Sequence, residues 1–155
     1  MNATAPRAVS VLPERYERAL VQSTRALAGD ERVQIRFSPQ GPRLDGRTFL
    51  LPIPAKTLDE AEWQKLRGHA DRLALRYAHH QAALHSRYRP AGLRAREVYD
   101  ALEDVRCQSI GAQVLAGVEQ NLEAAWLDTL ERNGVLKGQF LRTTGVTQAV
   151  ALLAR

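Results

Sequence analysis

The sequence is poor in lysine, cysteine and long apolar runs, and each shortage removes a class of protein. Lys56, Lys65 and Lys137 are the only lysines among 22 basic residues, so arginine carries nearly all the positive charge. Those arginines are spread among glutamates and aspartates along the whole chain. No aromatic-studded basic run or known motif supports nucleic-acid binding. The net charge of +5 still allows an acidic partner. Cys107 stands alone and cannot form an internal bridge. With no signal peptide at the start of the chain, a reducing cytoplasm is the expected compartment. The longest apolar stretches fall far short of the ~20 residues that cross a bilayer, so no membrane is expected as a partner.

What is present suits one globular domain. The chain has 155 residues, 45% hydrophobic and 25% charged, ordinary proportions for such a protein. A domain of this size buries about two thirds of its unfolded surface and needs no structural metal to fold.

Four blocks follow in order. Tyr16, Leu20, Thr24 and Leu27 recur at helical spacing between Pro13, which suits a first turn, and Gly29, a fitting stop. Val33, Ile35 and Phe37 then alternate with polar residues, and Phe49, Leu51 and Ile53 alternate again before Pro52 and Pro54 end any ladder. Turn residues between the two runs predict a two-stranded β-hairpin over 32–54, marginal unless it packs on a helix. Thr57-Leu58-Asp59-Glu60 reads as a capping box with threonine at the N-cap. It opens one continuous helical stripe through Leu66, His69, Leu73, Tyr77, His80 and Leu84, broken by Arg89-Pro90-Ala91-Gly92. A second long helix starts near Leu93, with Val98, Leu102 and Val105 on its inward face. Gly111 and Gly117 mark a kink or a close helix crossing, and Asn133-Gly134 is the stop.

The fold expected is mainly α with one small β-hairpin (α+β), two long helices plus shorter ones, with a degenerate zincin-like arrangement as a variant. Residues 13–133 form the domain. Residues 134–155 are a weakly patterned tail that ends inside an apolar run, as the start of a truncated following segment would.

Three of the four histidines, His79, His80 and His85, sit in one short stretch. Zinc peptidases place two histidines one turn apart on a helix with a glutamate between them. On a continuous helix His80 and His85 would stand about 140° apart around the axis and ~7.5 Å along it, and Gln81 and alanines replace the glutamate. His69 shares a face with His80 but lies ~16 Å away along such a helix. The reading favoured is therefore no metal, with His69 and His80 in polar sites on a packed face and His79 and His85 nearer the surface. A zincin-derived metal-dependent hydrolase using His80 and His85 is the alternative. Arg106 beside Cys107 would lower the thiol pKa, but no histidine is near in sequence, so an ordinary helix thiol is expected. No glycine-rich phosphate loop or metal-ion-dependent adhesion motif is present. Glu97, Asp100, Glu103 and Asp104 among Arg94, Arg96 and Arg106 read as a solvated, salt-bridged face. No catalytic residue and no cofactor-binding residue is assigned.

The segment Ala95-Arg96-Glu97-Val98-Tyr99-Asp100-Ala101-Leu102-Glu103-Asp104-Val105-Arg106 is similar to a pattern of the CobT family, Ala-Arg followed by an aromatic and a Glu-x-x-Arg helix. The likeness runs on through Ile110-Gly111-Ala112 and Ala116-Gly117-Val118 to Asn121-Leu122. Upstream, Arg67-Gly68-His69-Ala70-Asp71 resembles the family's Arg-Gly-x-x-Asp helix, and His80, His85 and Pro90 its His-x-x-x-x-His segment. Arg25-Ala26-Leu27-Ala28-Gly29 also fits. Gln108-Ser109 and Ala116 depart from the family's usual Glu-Ala and methionine.

The resemblance, spanning about Tyr16 to Trp126, implies the N-terminal, non-catalytic region of the CobT subunit of the aerobic cobaltochelatase. That enzyme inserts cobalt into hydrogenobyrinic acid a,c-diamide in cobalamin biosynthesis. The expected partners are an AAA+ chelatase subunit and a large corrin-binding subunit, with ATP-Mg and cobalt used by the whole complex and no cofactor in this region. The task expected here is assembly or positioning. Arg96, Glu103 and Arg106 are the candidate protein-contact residues, against the plainer reading that Glu103 and Arg106 pair on the helix surface. The basic charge would also suit docking on the family's acidic linker.

Overall fold

The computed structural model describes residues 12–132, and the expected 134–155 tail and the stop at Asn133-Gly134 lie outside them. Five helices and three strands follow in order: α1 (Glu14–Ala28), β1 (Gln34–Ser38), β2 (Arg43–Asp45), β3 (Thr48–Pro52), α2 (Glu60–His79), α3 (Ala82–Tyr88), α4 (Leu93–Val114) and α5 (Ala116–Arg132). The mainly helical α+β class expected from the sequence is the class observed.

Helix α1 begins after Pro13, which stands at the N-cap one position before its expected place, and ends at Gly29 in the left-handed region (φ 68°). The chain then enters the sheet, which differs from the expected two-stranded hairpin. The strand order is β1-β3-β2, with β1 parallel to β3 and β2 antiparallel to it. Arg43, Leu44 and Asp45, within the connection expected between the two strands, form the extra edge strand opposite Leu50, Phe49 and Thr48. Burial explains the order. Phe49 and Leu51 on β3 are fully buried, whereas β2 offers one apolar side chain between two charged ones, so the most apolar strand takes the centre. Asp30 ties the corner together: its carboxylate accepts from the Arg32 amide and guanidinium, Arg47 and Tyr77 Oη, and these hold its pKa well below the carboxylate range.

Helix α2 is the axis of the domain and packs on α1, β3, α4 and α5. Its cap is Asp59, whose Oδ1 accepts from the Glu62 amide at 2.8 Å, so the N-terminus lies two residues beyond the expected Thr57. Leu66, Ala70, Leu73 and Ala74 join Leu20, Ala28, Val33, Phe49 and Leu51 in the main core. Leu75 turns to a second cluster with Val118 and Leu122.

The expected continuous stripe is broken: α2 ends at His79, His80 is extended (φ −78°, ψ 126°), and α3 restarts at Ala82. No glycine or proline marks this break. Tertiary contacts make it, because Arg106 Nη2 donates to the His79 carbonyl at 2.8 Å and His80 swings to Glu103. The long second helix likewise divides at Leu115 into α4 and α5.

Helix α4 also presents a different face from the one expected. Leu102 is exposed and Val98 and Val105 are half-buried, while Ala101, Cys107 and Gly111 face inward. Small residues are used there because the helices approach closely: a Cβ at Gly111 would meet Leu75 Cδ2 at 2.3 Å. Gly117 has open space around it.

Candidate functional site

Two polar constructions meet on α2, one inside the molecule and one at its edge. The interior one joins α2 to α5. His69 Nε2 lies 2.7 Å from Asp128 Oδ2, which also accepts from Arg132 at 2.7 Å. Asp71 accepts from Asn121 Nδ2 at 2.8 Å and from Arg67, whose guanidinium reaches Ser23 Oγ at 2.6 Å. Burial lowers the His69 pKa against the pull of Asp128, and burial raises that of Asp71. The Arg67-Gly68-His69-Ala70-Asp71 segment is thus the crossing of α2 with α1 and α5. It reads as architecture, with every polar group but His69 Nδ1 and Arg67 Nε supplied with a partner.

The edge construction is built by the break after α2. Turning the chain at His80 and Gln81 folds α3 back, so that the His80 and His85 rings meet edge to face with centroids 4.9 Å apart. Glu103, reaching over from α4, completes the corner: its Oε1 lies 2.9 Å from His80 Nδ1. One possible ligand atom from each of His80, His85 and Glu103 lies within 4.8 Å of the others. No other such trio is found among the described residues.

Each member is held from outside. His85 Nε2 pairs with Asp100 Oδ1 at 2.7 Å, Asp100 also accepts from Arg89 at 2.8 Å, and the Tyr99 ring stacks on His85 at 4.5 Å. Arg106 forks onto Glu103, Nε to Oε2 at 2.7 Å and Nη2 to Oε1 at 2.9 Å. That guanidinium and the His80 ring pull the Glu103 pKa down to about 2, against the effect of burial. Burial and the Glu103 charge push the neighbouring Cys107 thiol up to about 11, outweighing the lowering that Arg106 exerts as expected.

Beside this corner opens a cavity of about 550 Å³ between β2, α2, α3 and α4, with Arg43, Arg72, Arg76, Arg89 and His85 in its wall. Asp104 bridges Arg72 (2.6 Å) and Arg76, joining α4 to α2. Asp100 takes Arg89, which leaves Arg43 as the arginine of this wall with no carboxylate partner among the described residues.

Asp100, Glu103 and Asp104 on α4 therefore form a lock to neighbouring elements, while Glu97 keeps the exposed place that the alternation suggests. Of the expected contact residues, Glu103 and Arg106 are joined to each other and to the α2 terminus, and Arg96 Nε donates to the Pro90 carbonyl at 2.9 Å. His80 and His85 stand on different elements with Gln81 between them at the α3 N-cap, unlike two histidines on one zinc-peptidase helix. His85 is nearer to burial than the sequence suggests, its side chain 11% exposed against 20% for His80. Arg72, Arg76 and Asp128 were not foreseen as members of any site. Arg72 and Arg76 carried a faint signal, two arginines one turn apart on a helix preceding an acidic one.

Comparison with known families finds one whose model matches residues 12–155, described as cobalamin biosynthesis protein CobT. No solved structure matches the chain.

Proposed function

The chain belongs to the CobT family of cobalamin biosynthesis proteins, and on that premise we propose that this region serves a cobaltochelatase subunit by assembly, not by chemistry of its own. In this reading it holds an AAA+ subunit in position relative to the large corrin-binding subunit while cobalt enters hydrogenobyrinic acid a,c-diamide. ATP-Mg is consumed on the AAA+ partner, and the complex works in the cytoplasm. No described helix is long and apolar enough to cross a membrane, which agrees with this picture.

The observation that carries the reading is the α3–α4 corner. Helix α3 buries none of its residues, and Leu84, Tyr88 and Leu93 are exposed there, Leu93 to 73%. Three large apolar side chains on one short bend cost solvation unless a partner covers them, which is what a docking helix provides. The ionic lock behind the corner fixes its shape before any partner arrives, so little ordering entropy is lost on binding.

Size-exclusion chromatography of the chain with its AAA+ partner, with and without ATP, tests this. Co-elution that Leu84→Glu with Tyr88→Glu abolishes is the expected result. Separate elution of the wild-type chain under both nucleotide conditions would remove the AAA+ contact from this region.

A second mode of contact is favoured by the arginine-walled cavity, where four arginines face two aspartates. That excess suits an acidic linker segment, bound with an affinity that falls steeply with salt. Fluorescence titration of a labelled acidic peptide at ~0.05 and ~0.5 M salt, with Arg43→Ala as the variant, measures it.

A further inference from the structure

We propose that His80, His85 and Glu103 form a binding site for a first-row divalent transition-metal ion. The proposal stands on the geometry of the corner and does not depend on the assembly role. Ligand atoms on one tetrahedral ion with bonds of about 2.0–2.1 Å lie about 3.3 Å apart. His80 Nδ1 and Glu103 Oε1 are already 2.9 Å apart, and the His85 donor lies within 4.8 Å of both. Two imidazoles, which are borderline donors, outnumber the one hard carboxylate, and that set suits cobalt, nickel or zinc better than calcium or magnesium.

The surroundings supply what metal ligands need from their neighbours. Asp100 engages Nε2 of His85, which fixes the tautomer and leaves Nδ1 with its lone pair, in the manner of carboxylate–histidine–metal relays. Tyr99 stacks on the same ring and limits its rotation. Arg106 holds the Glu103 carboxylate in a fork, so the ion must share that carboxylate with a guanidinium. To ligate through Nδ1, the His80 ring must carry its proton on Nε2. Cys107 Sγ stands 3.7 Å from Glu103 Oε1 but outside the trio, its thiol buried. Three protein ligands leave at least one coordination position for water or an exchanging ligand. That is the pattern of sites that pass or use a metal, where four protein ligands would close a structural one.

The break at His80 is what creates the site. A continuous helix would separate the two rings by ~7.5 Å along its axis. The helix is interrupted at His80 and Gln81, and the corner brings together residues 23 positions apart.

Titration of the full 155-residue chain with cobalt chloride alone, followed by calorimetry and visible absorption, tests the site. One equivalent should bind, His80→Ala and His85→Ala should each weaken it at least tenfold, and Asp100→Asn should weaken it about 10–100-fold. His79→Ala should change nothing. No binding by the wild-type chain overturns the proposal. So does unchanged affinity in the His80→Ala/His85→Ala double variant, or an equal loss in His79→Ala. Because variants at a packed corner can lose their fold, the wild-type chain is also titrated with zinc while its histidine ring NMR signals are followed. Shifts confined to His80 and His85 are expected, and a response centred on His69 or His79 overturns it.

Discussion

Gly68 on α2 lies so close to Asn121 on α5 that a Cβ built at 68 would fall 1.8 Å from the Asn121 carbonyl oxygen. The obstacle is backbone and cannot rotate away. Gly111 on α4 is also crowded, with a nearest atom at 2.3 Å, yet its obstacle is the branched end of Leu75, which can move. Gly68→Ala should therefore destabilise by about 3 kcal/mol or more, because α5 must shift. Gly111→Ala should cost less, about 1–2 kcal/mol, since overpacking is partly offset by the better helix propensity of alanine. Urea denaturation of the two variants in parallel gives the order.

Asp104 serves two arginines of α2, and neither has another carboxylate partner among the described residues. Asp104→Ala strands both beside the cavity. With side chains a quarter to a third exposed, the loss is expected at about 1–2 kcal/mol, below that of a fully buried pair. Adding Arg72→Ala to Asp104→Ala should cost less than the sum of the single changes, which a double-mutant cycle by thermal melting resolves.

His69 makes stability depend on pH. Burial pushes its imidazole below the ordinary 6.5, and Asp128 only partly restores it. The unfolded chain then takes up the proton before the folded one does. Its contribution is complete above pH 6.5 and is lost as pH falls through the lower folded value. Asp71 acts in the opposite sense in the carboxylate range, because a raised acid pKa lets protonation relieve its burial. Urea midpoints between pH 8 and pH 5 should fall for the wild type, with a smaller slope in His69→Gln.

Cys107 is fully buried with its thiol at about 11, so at pH 8 about one molecule in a thousand carries the thiolate. A thiol reagent such as iodoacetamide should leave the native chain unlabelled over hours. Labelling should become fast only at urea concentrations that unfold it. Fast native labelling would mean that the α2–α4 seam opens readily.

The parts of this architecture legible in the sequence are those governed by local rules. Pro13 and Gly29 bracket α1 to within a residue, and the alternation through Val33–Phe37 and Phe49–Ile53 places two of the three strands. Periodicity also assigns His69 to the packed face. What escaped depends on contacts distant in the chain. Arg43–Asp45 has no alternation long enough to announce a strand and is strand only because Phe49 and Leu50 lie beside it. His80 carries no helix-breaking signal, and the bend there is imposed by Glu103 and Arg106 from another helix. A rigid-helix argument from the His80–His85 spacing therefore kept apart two rings that the fold brings together. Charge alternation on α4 is ambiguous for a related reason: it looks the same whether an acid faces solvent, as Glu97 does, or meets arginines on a facing helix, as Asp104 does. The CobT resemblance read from scattered motifs between Tyr16 and Trp126 is the family that matches, and the match extends over residues 12–155.

Because α4 and α5 reach the rest of the protein chiefly through α2, the Arg89–Gly92 linker joins two halves that already recognise each other. Cutting the chain there would leave a larger fragment carrying Gly68, His69 and Asp71 on a bare surface, and a smaller one carrying their partners Asn121 and Asp128. Complementarity of that kind is what allows severed fragments to reassociate without a covalent bond. The protein is therefore a natural candidate for a split reporter, in which the two pieces, expressed separately, regain the helical signal of the whole only when mixed.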